Sequence, residues 1–174
     1  MGLKENLAYK KLSHGFAACY DSESKILVLG SFPSVKSREA NFYYGHPMNR
    51  FWPLLSKVYG IEIPNNIDGK KKILKDIHVA LYDVIDSCDI VGSSDASIKN
   101  VVATDLLPIL KGTKVQKILL NGKKAGALFE KYQLPVIGRQ IPYVVMPSTS
   151  PANAATRFDD LLLSWKEELG FACE

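Results

Sequence analysis

Two tracts hold most of the side chains able to do chemistry. The first joins Gly30-Ser31-Phe32-Pro33 to the run Tyr43-Tyr44-Gly45-His46-Pro47-Met48-Asn49-Arg50-Phe51-Trp52, and the second is Pro147-Ser148-Thr149-Ser150-Pro151-Ala152-Asn153-Ala154. In the first, the neutral amide of Asn49 can accept a hydrogen bond from a water and donate one to a water or a base. It orients more than it deprotonates. Asn49 also directly precedes a helical pattern with Pro53 in its first turn, so capping that helix is an alternative use of the amide. In the second tract, Thr149 and Ser150 offer hydroxyls to phosphates. Ser150 before Pro151 reads as an N-cap followed by the first helical residue, which would aim free helix amides at an anion. Asp83, in Leu81-Tyr82-Asp83-Val84, stands near the end of another apolar run. Ionised, it accepts hydrogen bonds; if burial keeps it protonated, it can also donate. A structural Asp bonded to backbone amides fits equally well.

Other reactive patterns are missing. No Ser-His-Asp order and no Gly-x-Ser-x-Gly elbow points to a hydrolase triad. Asn121-Gly122-Lys123-Lys124 lacks phosphate-loop spacing, and Asn121 reads as a loop or cap residue. Cys19, Cys88 and Cys173 are far apart with no Cys-x-x-Cys, so no metal site, redox motif or four-cysteine cluster is expected. A reducing, cytoplasmic setting fits them. Near the N-terminus Lys4 and Glu5 interrupt any apolar signal core, and no run approaches membrane-spanning length.

The elements that must position these groups alternate. Apolar strand-like runs occur at 25–30, 79–85, 117–121 and 142–146, and helical patterns at 50–59, 67–76, 101–110, 122–132 and 154–169. Strands of this kind, without strict in–out alternation, predict a parallel sheet covered on both faces. Both chemical tracts then follow strand ends, where such sheets bind ligands. The 174 residues are read as a single domain, 1–174, able to bury about 70% of its unfolded surface. A net charge of +4 with pI near 8.9 leans weakly towards an anionic partner. The clusters Lys70-Lys71-Lys72 and Lys123-Lys124 can meet phosphates or simply face solvent.

Taken together, the two tracts resemble the uracil-DNA glycosylase superfamily, most closely its hypoxanthine-DNA glycosylase branch, over roughly residues 25–169. The resemblance implies an α/β fold, three-layer α/β/α with a central, mainly parallel four-stranded sheet. It implies hydrolysis of the N-glycosidic bond of a deaminated base, hypoxanthine first and then xanthine or uracil, in DNA. The base must be flipped out, gripped and cut through an oxocarbenium-like transition state. No metal or cofactor is expected, the partner is DNA containing deaminated bases, and the state is a monomer. No Schiff-base lysine is implied, so the product is an abasic site without a nick.

The site residues implied by the resemblance follow. Relatives carry an aromatic platform just before His-Pro, which places Tyr44 in the base pocket, although Tyr43, Tyr44, Phe51 and Trp52 also suit a core. Much of the superfamily activates water with an Asp or Asn where this chain has Phe32. Phenylalanine cannot do so, but the hypoxanthine branch shares the Gly-Ser-Phe-Pro loop. Catalysis then falls to Asn49 of His-Pro-x-Asn, with Ser31, Phe32, Tyr44 and Asp83 around the base. In the second tract Ser148 replaces the usual His or Asn, and Ser148, Thr149, Ser150 and Asn153 are expected to hold the DNA. Gly92-Ser93-Ser94-Asp95-Ala96-Ser97-Ile98 resembles a family segment near the DNA face, and alone reads as an Asx-type turn before a helix. His46 is expected to hold its loop; His14 and His78 are given no catalytic part. A non-catalytic lesion-binding module and an enzyme of free nucleosides are the rival readings.

Overall fold

A computed structural model describes residues 9–170; Lys4, Glu5 and Cys173 lie outside them. In chain order the strands are β1 (Lys10–Ser13), β2 (Ile26–Gly30), β3 (Val79–Asp83), β4 (Ile85–Ile90), β5 (Lys99–Ala103), β6 (Lys117–Asn121) and β7 (Tyr143–Met146). The helices are α1 (Val35–Ala40), α2 (Phe51–Tyr59), α3 (Ile67–Asp76), α4 (Leu107–Gly112), α5 (Lys123–Tyr132), α6 (Leu134–Ile137) and α7 (Phe158–Leu169).

Four strands form a sheet in the order β3-β2-β6-β7, each neighbouring pair parallel. Its two faces are separate cores. Ile26, Val28, Val79, Leu81 and Leu119 pack with Phe51, Leu55, Leu74 and Trp165 from α2, α3 and α7. Leu27, Leu29, Ala80, Ile118 and Leu120 pack with Ile109, Leu128 and Phe129 from α4 and α5. Every residue of β2 is buried, as expected of a central parallel strand. The architecture is therefore the expected α/β/α sandwich. No helix of the described residues is long and apolar enough to cross a membrane.

Four expectations need correction. The run 79–85 is broken at Val84, and the chain leaves the parallel sheet to enter a second, antiparallel sheet ordered β1-β4-β5. The helix expected at 101–110 is a strand up to Ala103 and is helical only from Leu107. Val101 and Val102 favour extended backbone, and β5 is held to β4 through Ile85↔Ala103 and Ser87↔Val102. Thr104 then ends the strand by donating its hydroxyl to the Asp83 carbonyl at 2.8 Å. The turn at 92–98 accordingly leads into this strand rather than a helix.

The helix expected at 154–169 starts only at Phe158, so Ser150 is no N-cap and Pro151 no first helical residue. The Arg50 guanidinium takes the carbonyls of Ser150, Asn153 and Thr156, which the helical pattern would need for its own amides. Short α1 is capped by the Ser34 hydroxyl, which accepts from the Ser37 amide at 3.2 Å.

Candidate active site

The register of the parallel sheet sets the site. Gly30 lies beside Asp83 on neighbouring strands, and Asn121 beside Met146, so the carboxyl ends of all four strands share one edge. A cleft of about 480 Å³ opens there. Ser31, Phe32, Tyr44, Asn49, Asp83, Ser148, Thr149 and Ser150 all line it. Asn153 does not. Its amide donates to the Ser148 carbonyl at 3.0 Å and accepts from the Thr156 hydroxyl at 3.1 Å, which ties the loop together from within. Thr149 is also internal, fully buried, with Asn121 donating to its hydroxyl and accepting from its amide at 2.9 and 3.0 Å.

Gly30 is required by close approach. A Cβ there would lie 2.4 Å from Asp83 Oδ1 and 3.6 Å from the Tyr44 hydroxyl. Tyr44 itself sits at φ +55°, a left-handed conformation that costs a non-glycine residue about 1–2 kcal/mol. Such strain gathers at ligand sites and persists where packing over-determines it. Here the ring packs on Phe51, centroids 4.2 Å apart. The Tyr44 hydroxyl is buried without a hydrogen-bond partner of good geometry. Burial, and then the charge of Asp83, push its ionisation well above the ordinary phenol range, so it remains neutral. Tyr43, Phe51 and Trp52 are core: the Tyr43 hydroxyl donates to the Ala17 carbonyl, and Trp52 Nε1 donates to the Tyr43 carbonyl.

Asn49 stands one residue before Arg50, the N-cap position of α2. It lines the cleft, and its Oδ1 accepts the Phe51 amide at 2.9 Å, at the start of α2. Since that amide can only donate, the contact fixes the side-chain orientation and leaves the Nδ2 hydrogens without a partner among the described residues. His46 holds the loop as expected, with Nδ1 accepting the Met48 amide and its carbonyl accepting the Asn49 amide.

Two residues that build the site were not anticipated. Arg50 bonds both tracts together. Its amide donates to the Thr149 carbonyl, and its guanidinium donates to the carbonyls of Ser148, Asn153 and Thr156 at 3.4, 2.9 and 2.5 Å, among others. A basic residue beside Asn49 was the available signal. His14 is buried behind the cleft with Nε2 2.7 Å from Asp83 Oδ2. The two lie 69 positions apart, and nothing local in the sequence pairs them.

The profile of the Uracil DNA glycosylase superfamily matches residues 17–169. A Methanosarcina acetivorans protein named Hypoxanthine DNA glycosylase is 34% identical over 144 residues, covering 82% of this chain and 89% of that protein. A protein of the same name from Methanosarcina barkeri is 34% identical over 119 residues, covering 64% of this chain and 72% of its own length. A solution NMR structure of a Methanosarcina acetivorans protein, described provisionally as a uracil DNA glycosylase, superimposes with a TM-score of 0.78 at 31% identity. That match covers 92% of this chain and 98% of the other. The shared sheet edge, the cleft upon it and these likenesses agree: the chain belongs to the Uracil DNA glycosylase superfamily.

Proposed function

We propose that this DNA glycosylase acts first on hypoxanthine in DNA, leaving an abasic site. The observation that carries the reading is the meeting, in one cleft, of an amide at Asn49, an aromatic at Tyr44 and a carboxyl at Asp83, with Phe32 where a water-activating group would otherwise stand. Relatives named for hypoxanthine support the choice of base.

In hydrolysis a water oxygen bonds to the sugar C1′ while the C1′–N9 bond breaks, its electron pair leaving with the base. A proton from the water then passes to the departing base or to solvent. The second lone pair of Asn49 Oδ1 can hold a water hydrogen while Nδ2 donates to the water or to the base. Neither act needs a strong base, because the oxocarbenium-like sugar is itself the electrophile. The base lies on Tyr44, and Asp83 reads its edge. Ser148 and Ser150 each accept a nearby amide at 3.1 and 3.2 Å, which leaves their hydroxyl protons for a DNA phosphate.

Duplexes containing deoxyinosine, deoxyxanthosine or deoxyuridine provide the test. The deoxyinosine strand is expected to lose its base fastest and to break only after alkali treatment. Uracil released as fast or faster would overturn the preference for hypoxanthine.

Tyr44→Ala is expected to lose about 1–3 kcal/mol of transition-state stabilisation, the value of one stacked base. Tyr44→Phe keeps the ring and removes an unpartnered buried hydroxyl, so its single-turnover rate should match the parent. An alanine variant as fast as the parent would remove Tyr44 from the pocket.

A further inference from the structure

The proton count between His14 and Asp83 is constrained by a third group. His14 Nδ1 lies 2.8 Å from the Phe16 carbonyl oxygen, which carries no proton, so Nδ1–H must be the donor. The opposite nitrogen, Nε2, meets Asp83 Oδ2 at 2.7 Å. One proton therefore bridges that contact. It makes either an imidazolium beside a carboxylate or a neutral ring beside a carboxylic acid.

The surroundings favour the ionic form. The ring sits among Phe16, Tyr82 and Tyr43, with tilted rings at centroid distances of 4.5, 5.1 and 5.9 Å, close enough for aromatic π-systems to attract a cation. The other titratable groups facing Asp83 are Tyr82 on its own strand, Tyr43 and Tyr44 from the loop before α2, and Asp95 from the turn before β5. Burial holds all three phenols neutral. Asp95 adds no positive charge, and loss of water raises its carboxyl against the pull of Lys124. Among the described residues, His14 is the basic side chain bonded to Asp83. Asp83 Oδ1 makes no hydrogen bond among them, and the residue lines the cleft.

We propose that His14 is a positioning residue for base recognition: as imidazolium it keeps Asp83 ionised and ties down Oδ2, so that Oδ1 is a bare acceptor for the ring N–H that deamination creates. This rests on the glycosylase reading above. Adenine presents N1 as an acceptor and hypoxanthine presents N1–H; cytosine presents N3 as an acceptor and uracil presents N3–H. A fixed anionic acceptor attracts the deaminated base in each case and repels the parent's lone pair. Guanine already carries N1–H, so its rejection must depend on its 2-amino group.

The first test reads the ring directly. In ¹⁵N NMR of the unliganded full chain at pH 7, both His14 nitrogens are expected to carry hydrogen, and Asp83→Asn should return the ring to the Nδ1–H tautomer. A wild-type ring with one N–H would overturn the proposal. The second test is the pH profile of single-turnover release from a deoxyinosine duplex. His14→Gln can still donate to Oδ2 but carries no charge, so the variant should lose activity towards acid pH sooner than the parent. The variant's rate at acid pH relative to pH 8.5 should then fall below the parent's ratio. A parallel profile would defeat the proposal, and should the variant fail to fold, the NMR result on the parent decides. Failure of the parent to release any deaminated base would defeat the glycosylase reading while leaving the ring's protonation measurable.

Discussion

Asn49→Ala is expected to lower the single-turnover rate of base release by about 10²–10³, or about 2.7–4 kcal/mol, the loss found when a preorganised donor is removed. The same side chain accepts the Phe51 amide at the start of α2, so stability should also fall, by about 1 kcal/mol. The two effects separate by design. Serine caps a helix about as well as asparagine, but its hydroxyl is too short to reach the same water. Asn49→Ser should therefore melt like the parent and cleave as poorly as the alanine variant. If Asn49→Ser is both stable and fully active, the residue serves only to hold the Phe51 amide and the catalytic assignment falls.

Arg50→Ala should be the most destabilising change at the cleft. The guanidinium donates to carbonyls at Ser148, Ser150, Asn153 and Thr156, which holds the second tract in turns and delays the start of α7. Hydrogen bonds from charged donors are each worth about 1.5–3 kcal/mol, and part of that is recovered when water reaches the freed carbonyls. A loss of about 2–4 kcal/mol in denaturant unfolding is expected. Arg50→Lys should recover little, since an ammonium cannot span several carbonyls as a planar fork does. Base release by the folded fraction should drop in both variants, because Ser148 and Ser150 are no longer held at the cleft. Unchanged unfolding of Arg50→Ala would show that the loop stands without it.

The parallel sheet was legible because β2, β3, β6 and β7 are apolar runs followed by loop or helix signals, and burial on both faces leaves no other use for such runs. The cleft was legible because its lining follows those strands directly in sequence. Val101–Ala103 misled because a short apolar run fits strand or helix, and its partner strand β4 alone decided the matter. Ser150-Pro151 misled for a different reason. Its local signal for a helix start was sound, but Arg50, a hundred positions away, took the carbonyls. His14 was invisible because its meaning depends on Asp83, which only the folded chain brings to it.

The antiparallel sheet bears on the order in which the molecule assembles. Ser13 pairs with Ser87, and the His14 amide donates to the Asp86 carbonyl at 2.7 Å, so β1 docks across a loop of some seventy residues. The ends of such a long loop meet against a large closure entropy, and contacts of this range form slowly. The parallel sheet needs nothing from β1, since its register involves only β2, β3, β6 and β7. The cleft therefore gains its shape from one sheet, while His14 comes to it from the residue just past a strand of the other. A chain whose first strand has yet to dock would have a pocket with Tyr44 and Asn49 in place but an Asp83 still without its His14 partner.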